Sequence, residues 1–430
     1  MVDGDGPGVA VRTRERLPRE IWVLVGAAFL IAIGYGLVAP TLPVFVRSFD
    51  VGITAASLVI SVFALSRLLF APVSGRIVGR FGELSVFQTG LAVVAVSSGA
   101  CAFAAEYWQL LALRVFGGVG SAMFTVSALS LLVRLAPVSM RGRASGRWAT
   151  GFLLGNIIGP LAGGGLAAVN LRTPFLVYAG VLVVVVVVSG LLLRGRTRES
   201  AEAVRAAGPP ARFRVAFGHP AYRAALAASF ANGWAVFGVR VALVPLLVVE
   251  VLGQPESWGG IALAVFAAGN ASTLVFAGPL ADRRGRRPPV LVGLAVSAVA
   301  TAVLGFITSP PLFLLVSLVA GMGSGLVNPP MNAAVADVVG SRARGGTVLA
   351  GFQMSADLGA IIGPVLAGAL AETVGFGVAF AVTGAVALVA LGFWIRAPET
   401  LPRTAPSTAA EQALAECSCT DCPAPATRPR

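Results

Sequence analysis

The sequence predicts an all-α membrane protein of twelve transmembrane helices, built as two six-helix repeats with both termini in the cytoplasm. Three observations carry that expectation. The first is composition: of 430 residues, 57% are apolar and 12% charged, about half of the roughly 25% usual in a soluble domain. Mean hydropathy is +0.86. The second is length: about 20 apolar residues cross a ~30 Å hydrocarbon layer as a helix, and runs of that size recur along the whole chain. The third is an internal repeat. Gly155-Asn156-Ile157-Ile158-Gly159-Pro160 returns 204 residues later as Gly359-Ala360-Ile361-Ile362-Gly363-Pro364. Phe63-Ala64…Gly75 returns after 203 as Phe266-Ala267…Gly278, and the same step relates Gly118 and Gly120 to Gly321 and Gly323, and Arg141 to Arg344.

Taken in order, the spans are expected at about 21–46, 54–78, 85–104, 107–133, 147–169 and 173–193, then 223–249, 257–281, 289–308, 311–337, 346–371 and 375–395. A cytoplasmic arm (1–20) precedes them. An arginine-rich cytoplasmic linker (194–222) separates the N-terminal half (21–193) from the C-terminal half (223–396), and a disordered cytoplasmic tail (397–430) follows. Arginine placement sets the orientation, because cytoplasmic loops are enriched in positive charge. With the N-terminus inside, the inner segments hold Arg12 to Arg19, Arg76, Arg80, Arg134, Arg141, Arg143, Arg147, the linker, Arg283 to Arg287, Arg342 and Arg344. The outer loops hold only Arg47 and Arg172, with Asp50, Glu106, Glu250, Glu256 and Glu372 outside or near that interface.

The net charge of +13 is therefore a topology signal rather than one for nucleic acid. All 32 basic residues are arginine, which fits GC-rich codon bias. Four cysteines, with Cys101 alone and Cys417, Cys419 and Cys422 in the tail, form no disulfide framework and no paired metal motif. The one histidine, His219, lies in the linker and reads as structural. With no histidine in any span and no phosphate-binding GxxxxGK[ST] loop, an intramembrane enzyme and an ATP-driven pump are both disfavoured. A non-transporting sensor lacks room for an output domain. Two parallel halves joined by a loop form a transporter architecture, with the site expected between them at mid-membrane.

Five motif segments sharpen this. Gly278-Pro279-Leu280-Ala281-Asp282-Arg283-Arg284-Gly285-Arg286-Arg287 joins spans 8 and 9, and Gly75-Arg76-Ile77-Val78-Gly79-Arg80-Phe81-Gly82-Glu83-Leu84 joins spans 2 and 3. Span 4 carries Leu110-x-x-x-Arg114-x-x-Gly117-Gly118-x-Gly120. Span 5 carries Gly155-x-x-x-Gly159-Pro160-x-x-Gly163-Gly164, and Gly151, Gly155, Gly159 and Gly163 along that span make a flat face that admits another helix closely. Span 1 has Gly36-Leu37-Val38-Ala39-Pro40-Thr41-Leu42-Pro43. Over residues 20–396 these resemble the major facilitator superfamily, and within it the twelve-span drug:proton antiporter branch. The resemblance implies a multi-pass protein of the bacterial cytoplasmic membrane that exports drugs or natural products against protons, without a cofactor. It implies conformational roles for Gly75, Arg80, Gly82, Gly155, Gly159, Pro160, Gly163, Gly164, Gly278, Asp282, Arg283, Gly285, Arg286, Gly363 and Pro364. Gly79 stands where the family has aspartate, which leaves the first loop's latch open to question. A metabolite or sugar-type exporter, or a uniporter, on the same scaffold is the alternative.

Ionisable groups inside spans are costly and usually functional. Asp357 in span 11 is the expected proton carrier, with Arg114 in span 4 as its intermittent partner; a static ion pair is the alternative. Asp337 reads as interfacial. Arg67, Arg240, Asn232, Asn270, Asn328, Asn332 and Gln353 are candidates to line the cavity and touch substrate. Arg67, Arg114 and Arg240 against Asp357 leave an excess of positive charge, so the expected partners are neutral or anionic amphipathic small molecules, protons and lipid, with no nucleic acid and a monomeric state.

Overall fold

A computed structural model describes residues 18–136, 141–193, 213–339 and 346–401. Twelve helices among them are long and apolar enough to cross a membrane: Arg19–Arg47, Ile53–Phe81, Glu83–Cys101, Tyr107–Leu132, Gly146–Ala167 and Thr173–Leu193, then Pro220–Glu250, Ser257–Arg284, Arg287–Leu304, Pro310–Val338, Val348–Thr373 and Phe376–Arg396. They are called spans 1 to 12 below. No strand occurs among the described residues. The cysteine-bearing tail, most of the arm and linker, and the loops with Arg342 and Arg344 lie outside the described residues.

Each half repeats the same packing. Span 1 lies on spans 5 and 6, span 2 on span 4, and span 3 on spans 4 and 6; span 7 lies on spans 11 and 12, span 8 on span 10, and span 9 on spans 10 and 12. The halves meet where span 2 lies on span 11 and span 5 on span 8. Apolar side chains point outward as well as inward, as lipid contact requires. In span 6 Val183, Val184, Val187, Val188, Leu191 and Leu192 are exposed while Leu182, Val185 and Leu193 are buried.

Two departures from the expected elements position the interior. Span 7 begins at Pro220, three residues before the expected boundary, after a short helix Phe213–Gly218 in the segment read as linker. His219 caps it: its Nδ1 accepts the Ala221 N–H at 3.3 Å, and Pro220 has no N–H to satisfy at that turn. Span 7 is also not uniformly α-helical. Gly233–Val239 forms a π-helical stretch immediately before Arg240, a local form that occurs often at functional sites. Its repeat mate, span 1, is broken instead at Ala39–Pro40.

Candidate functional site

The interface between the halves is the candidate site, and glycines decide how closely its helices approach. On the face away from the termini the halves touch. A Cβ on Gly164 of span 5 would stand 2.5 Å from the Ser257 carbonyl oxygen of span 8, and one on Gly260 would stand 2.2 Å from the Pro160 carbonyl oxygen. Gly368 of span 11 is similarly pressed on Ser57 of span 2. Polar contacts seal the same face. Arg47 Nε lies 3.0 Å from Glu250, and Glu372 of span 11 accepts the Thr54 N–H at 2.9 Å and the Thr54 hydroxyl, capping span 2 from the opposite half. On the termini face Gly75, Gly79 and Gly278 have nothing within 4 Å. The halves are therefore pressed together on the face away from the termini, while these three glycines of the termini face meet no neighbour.

The four-residue glycine ladder of span 5 works within one half. Cβ atoms on Gly155, Gly159 and Gly163 would meet the Phe29, Ile33 and Leu37 carbonyl oxygens of span 1 at 2.6, 2.6 and 2.3 Å. Gly359 and Gly363 meet Phe230 and Trp234 of span 7 in the same way, and Pro364 lies against Gly238. Of the span 5 motif glycines, Gly164 touches the other half.

At mid-membrane, Asp357 accepts a hydrogen bond from Arg67 Nη2, an ion pair that joins span 11 to span 2. Both residues are held by backbone packing. A Cβ on Gly118 of span 4 would stand 2.4 Å from the Phe63 carbonyl oxygen and 3.2 Å from Arg67 N, while one on Gly233 would stand 1.9 Å from the Ala356 carbonyl oxygen. Ser355 Oγ adds a hydrogen bond to the Leu226 carbonyl at 2.8 Å. Asp357 is 7% exposed. The expected partnership with Arg114 is not formed: that guanidinium lies 4.2 Å from the centre of the Phe63 ring, buried, with its Nε lacking a hydrogen-bond partner. The physical reason is position. Arg114 faces inward within its own half, whereas Arg67 sits on the span that borders span 11.

Arg240 is equally desolvated, 3% exposed, 3.8 Å from the Phe266 ring centre, with Nε and Nη1 lacking partners. Asn270 donates to Ser324 Oγ at 3.2 Å and Ser324 donates to Asn232 Oδ1 at 3.4 Å, a polar chain linking spans 8, 10 and 7. Ser324 escaped the sequence reading because serine in a span is common and uninformative. Asn328 bonds back to the Ser324 carbonyl on its own helix at 3.4 Å. Asn332 and Gln353 are exposed.

The termini face carries a relationship that the sequence reading missed. Arg286 pairs with Asp282 on the same loop and, at 3.2 Å, with Asp337 at the end of span 10. In the other half Arg134 Nη1 pairs with Glu83 at 2.6 Å. Glu83 and Arg286 are repeat equivalents, as are Arg134 and Asp337, each 203 residues apart. The same bridge is built twice with its charges exchanged, so Gly79 in place of an acid does not leave the first loop without an ion pair. Gly82 (φ 85°) and Gly285 (φ 99°) turn the chain in both loops, in a left-handed region that other residues rarely enter. Arg80 lies 5.5 Å from the Phe81 ring centre, and Arg283 is exposed. Glu399, just beyond span 12, accepts backbone N–H groups of Arg286 (2.7 Å), Arg287 (3.1 Å), Thr400 and Leu401 (both 3.0 Å). Burial opposes its charge, but these four donors outweigh it and hold the carboxyl below its ordinary value.

Comparison with known proteins bears on the same architecture. The family profile described as Major Facilitator Superfamily matches residues 24–260 and 228–421. The tetracycline resistance protein, class C, of Escherichia coli is 29% identical over 399 residues, 88% of this chain and 98% of that protein. The quinolone resistance protein NorA of Staphylococcus aureus is 30% identical over 177 residues, 41% of this chain and 45% of that one. These relatives support the drug:proton antiporter branch. Among solved structures, an inward-facing bacterial homologue of the lysosomal transporter Spinster superposes with a TM-score of 0.74 at 17% identity, covering 88% of this chain and 96% of that one. A D-xylose-proton symporter gives 0.71 at 16%, covering 88% and 98%; both likenesses speak to the fold alone. Repeat, packing and matched length agree: the chain belongs to the Major Facilitator Superfamily, as a multi-pass transporter of the bacterial inner membrane and not an enzyme.

Proposed function

We propose that this transporter exports small amphipathic molecules, neutral or anionic, in exchange for protons. The observation that carries the reading is the Arg67–Asp357 pair, a carboxylate at mid-membrane tied across the two halves. The drug-resistance names of two relatives support the substrate class. The arginine distribution supports cytoplasmic termini, and in this reading the termini face, where Gly75, Gly79 and Gly278 meet no neighbour, is the one that opens inward.

In this cycle Asp357 gives up its proton to the cytoplasm and, charged, pairs with Arg67 while the cavity is open to that side. Protonation from outside removes the charge that Arg67 holds, and the equilibrium between the two conformations shifts by the lost interaction. The proton gradient is the energy source, and no cofactor takes part. Arg240, Asn232, Asn270, Asn328, Asn332 and Gln353 contribute the cavity wall.

Asp357→Asn tests this in proteoliposomes with an imposed pH gradient, using an anionic and a neutral amphipathic dye. The expected protein still binds dye but no longer concentrates it. Full gradient-driven export by a well-expressed variant removes Asp357 from the coupling step. Loss of stability in Asp357→Asn that is restored in Arg67→Gln/Asp357→Asn, with coupling intact in the double variant, makes the pair a strut instead.

A further inference from the structure

Arg114 takes no part in the Asp357 pair, and its surroundings give it another use. It borders a cavity of about 20 Å³ whose lining includes Tyr35 of span 1, Ser98 of span 3, Tyr178 of span 6 and Phe63 of span 2, with Val241 of span 7 reaching in from the other half. That volume holds one water-sized group. The lining contains no carboxylate. Arg114 is 8% exposed, its Nε is buried without a hydrogen-bond partner, and among the described residues no ion pair includes it. Burying a charge without a counter-charge is costly. A ring face at 4.2 Å offsets only part of that cost.

The remaining polar groups suit an anion. Guanidinium and phenol both present donors. Tyr178 is 5% exposed, with its ring packed on the Gly34 backbone, where a Cβ would stand 2.1 Å from it.

We propose that this cavity is an anion site, taking one anionic group on the Arg114 guanidinium and the Tyr35 and Tyr178 hydroxyls. The group is a free halide or the charged oxygen of a carboxylate carried on a transported molecule. Because Val241 completes the wall from the opposite half, the site is whole only when spans 1 and 7 are together, as they are here. The inference draws on the exporter reading for the meaning of a carboxylate ligand, while the binding itself requires no gradient and no transport.

The experiment measures thermal unfolding of the purified full chain in detergent at fixed ionic strength. Chloride is titrated against gluconate, and benzoate against its neutral isostere benzamide. The expected result is a saturable rise in unfolding temperature of about 2 °C or more with chloride, with benzoate, or with both. Arg114→Gln should weaken it at least tenfold. A response to chloride alone assigns the site to a free ion; a response to benzoate but not to benzamide or chloride assigns it to a substrate carboxylate. The proposal is overturned if no anion gives a saturable shift in the natural protein, or if Arg114→Gln responds as the natural protein does. Should Arg114→Gln fail to fold, Tyr35→Phe/Tyr178→Phe decides the matter: a weakened response supports the site, and an unchanged one overturns it. Since nothing here depends on a proton gradient, failure of this site leaves the Asp357 test standing, and the reverse.

Discussion

Arg47 and Glu250 are the same position of the two repeats, 203 residues apart, and they are each other's ion-pair partner across the closed face. Two equivalent positions meet only near the pseudo-two-fold axis that relates the halves. A chain with identical residues there would set like charges together, so the attraction requires that the repeats have diverged at this point.

The pair is partly open to solvent, and such pairs contribute about 0–1 kcal/mol. Arg47→Glu should shift the balance toward opening of this face by roughly fivefold at most. Arg47→Glu/Glu250→Arg should restore it, since the axis makes the exchange nearly isosteric. Labelling of a Ser257→Cys reporter from the outer side measures both effects; equal labelling in all three proteins would remove the pair from the seal.

The exchanged bridges on the termini face make a second test. Glu83→Arg alone opposes Arg134 with a like charge at a site where both side chains are mostly buried, and should cost about 2 kcal/mol, between exposed and buried pairs. Glu83→Arg/Arg134→Asp copies the arrangement of the other half and should recover most of that loss. Unfolding temperature and transport rate are the readouts. A double variant no better than the single one would show that the surroundings, rather than the pair, fix the signs.

Gly159 and Gly164 separate stability from rocking. Gly159→Leu drives a side chain into the Ile33 carbonyl of its own half and should lower folded yield. Gly164→Ala places a methyl where span 8 approaches, against the Ser257 carbonyl. It should leave the fold intact while weakening the closed face by about 1–3 kcal/mol, the usual cost of overpacking. Cysteine accessibility on the outer side, compared with thermal stability, distinguishes the two; similar stability losses in both variants would contradict the division.

Glu399 gives a pH dependence whose sign is fixed. Its carboxyl is held below the ordinary value near 4.3, so its stabilisation is complete above that value and is lost as pH falls through the depressed one. Protection from hydrogen exchange, taken relative to the intrinsic rate at each pH, should persist at the amides of Arg286, Arg287 and Leu401 from neutral pH down to the ordinary carboxylate range and be lost only below it. Glu399→Gln should show fast exchange throughout. A transition near pH 6 would assign the hook to another group.

The spans, the two halves and the glycine-rich helix faces were legible because each is written locally, in hydropathy or in four-residue spacing. Arg67, Arg114, Arg240 and Asp357 stood out as charges where charges are expensive. Their pairing did not, because Asp357 and Arg67 are 290 residues apart and only the docking of the halves selects between Arg67 and Arg114. The glycine ladder named a packing face without naming its partner, which proved to be span 1 of the same half. Extending the repeat alignment from glycines to charged positions would have matched Glu83 with Arg286 and Arg134 with Asp337, since opposite signs at equivalent positions are readable without coordinates.

The π-helical stretch Gly233–Val239 gives span 7 a spare residue beside Asp357. Rewinding it to α geometry would rotate everything beyond it by one residue's turn, about 100°. Arg240 would leave Phe266, and Glu250 would swing away from Arg47. A change of winding at mid-membrane would thus be felt as a released clasp at the far end of the same helix.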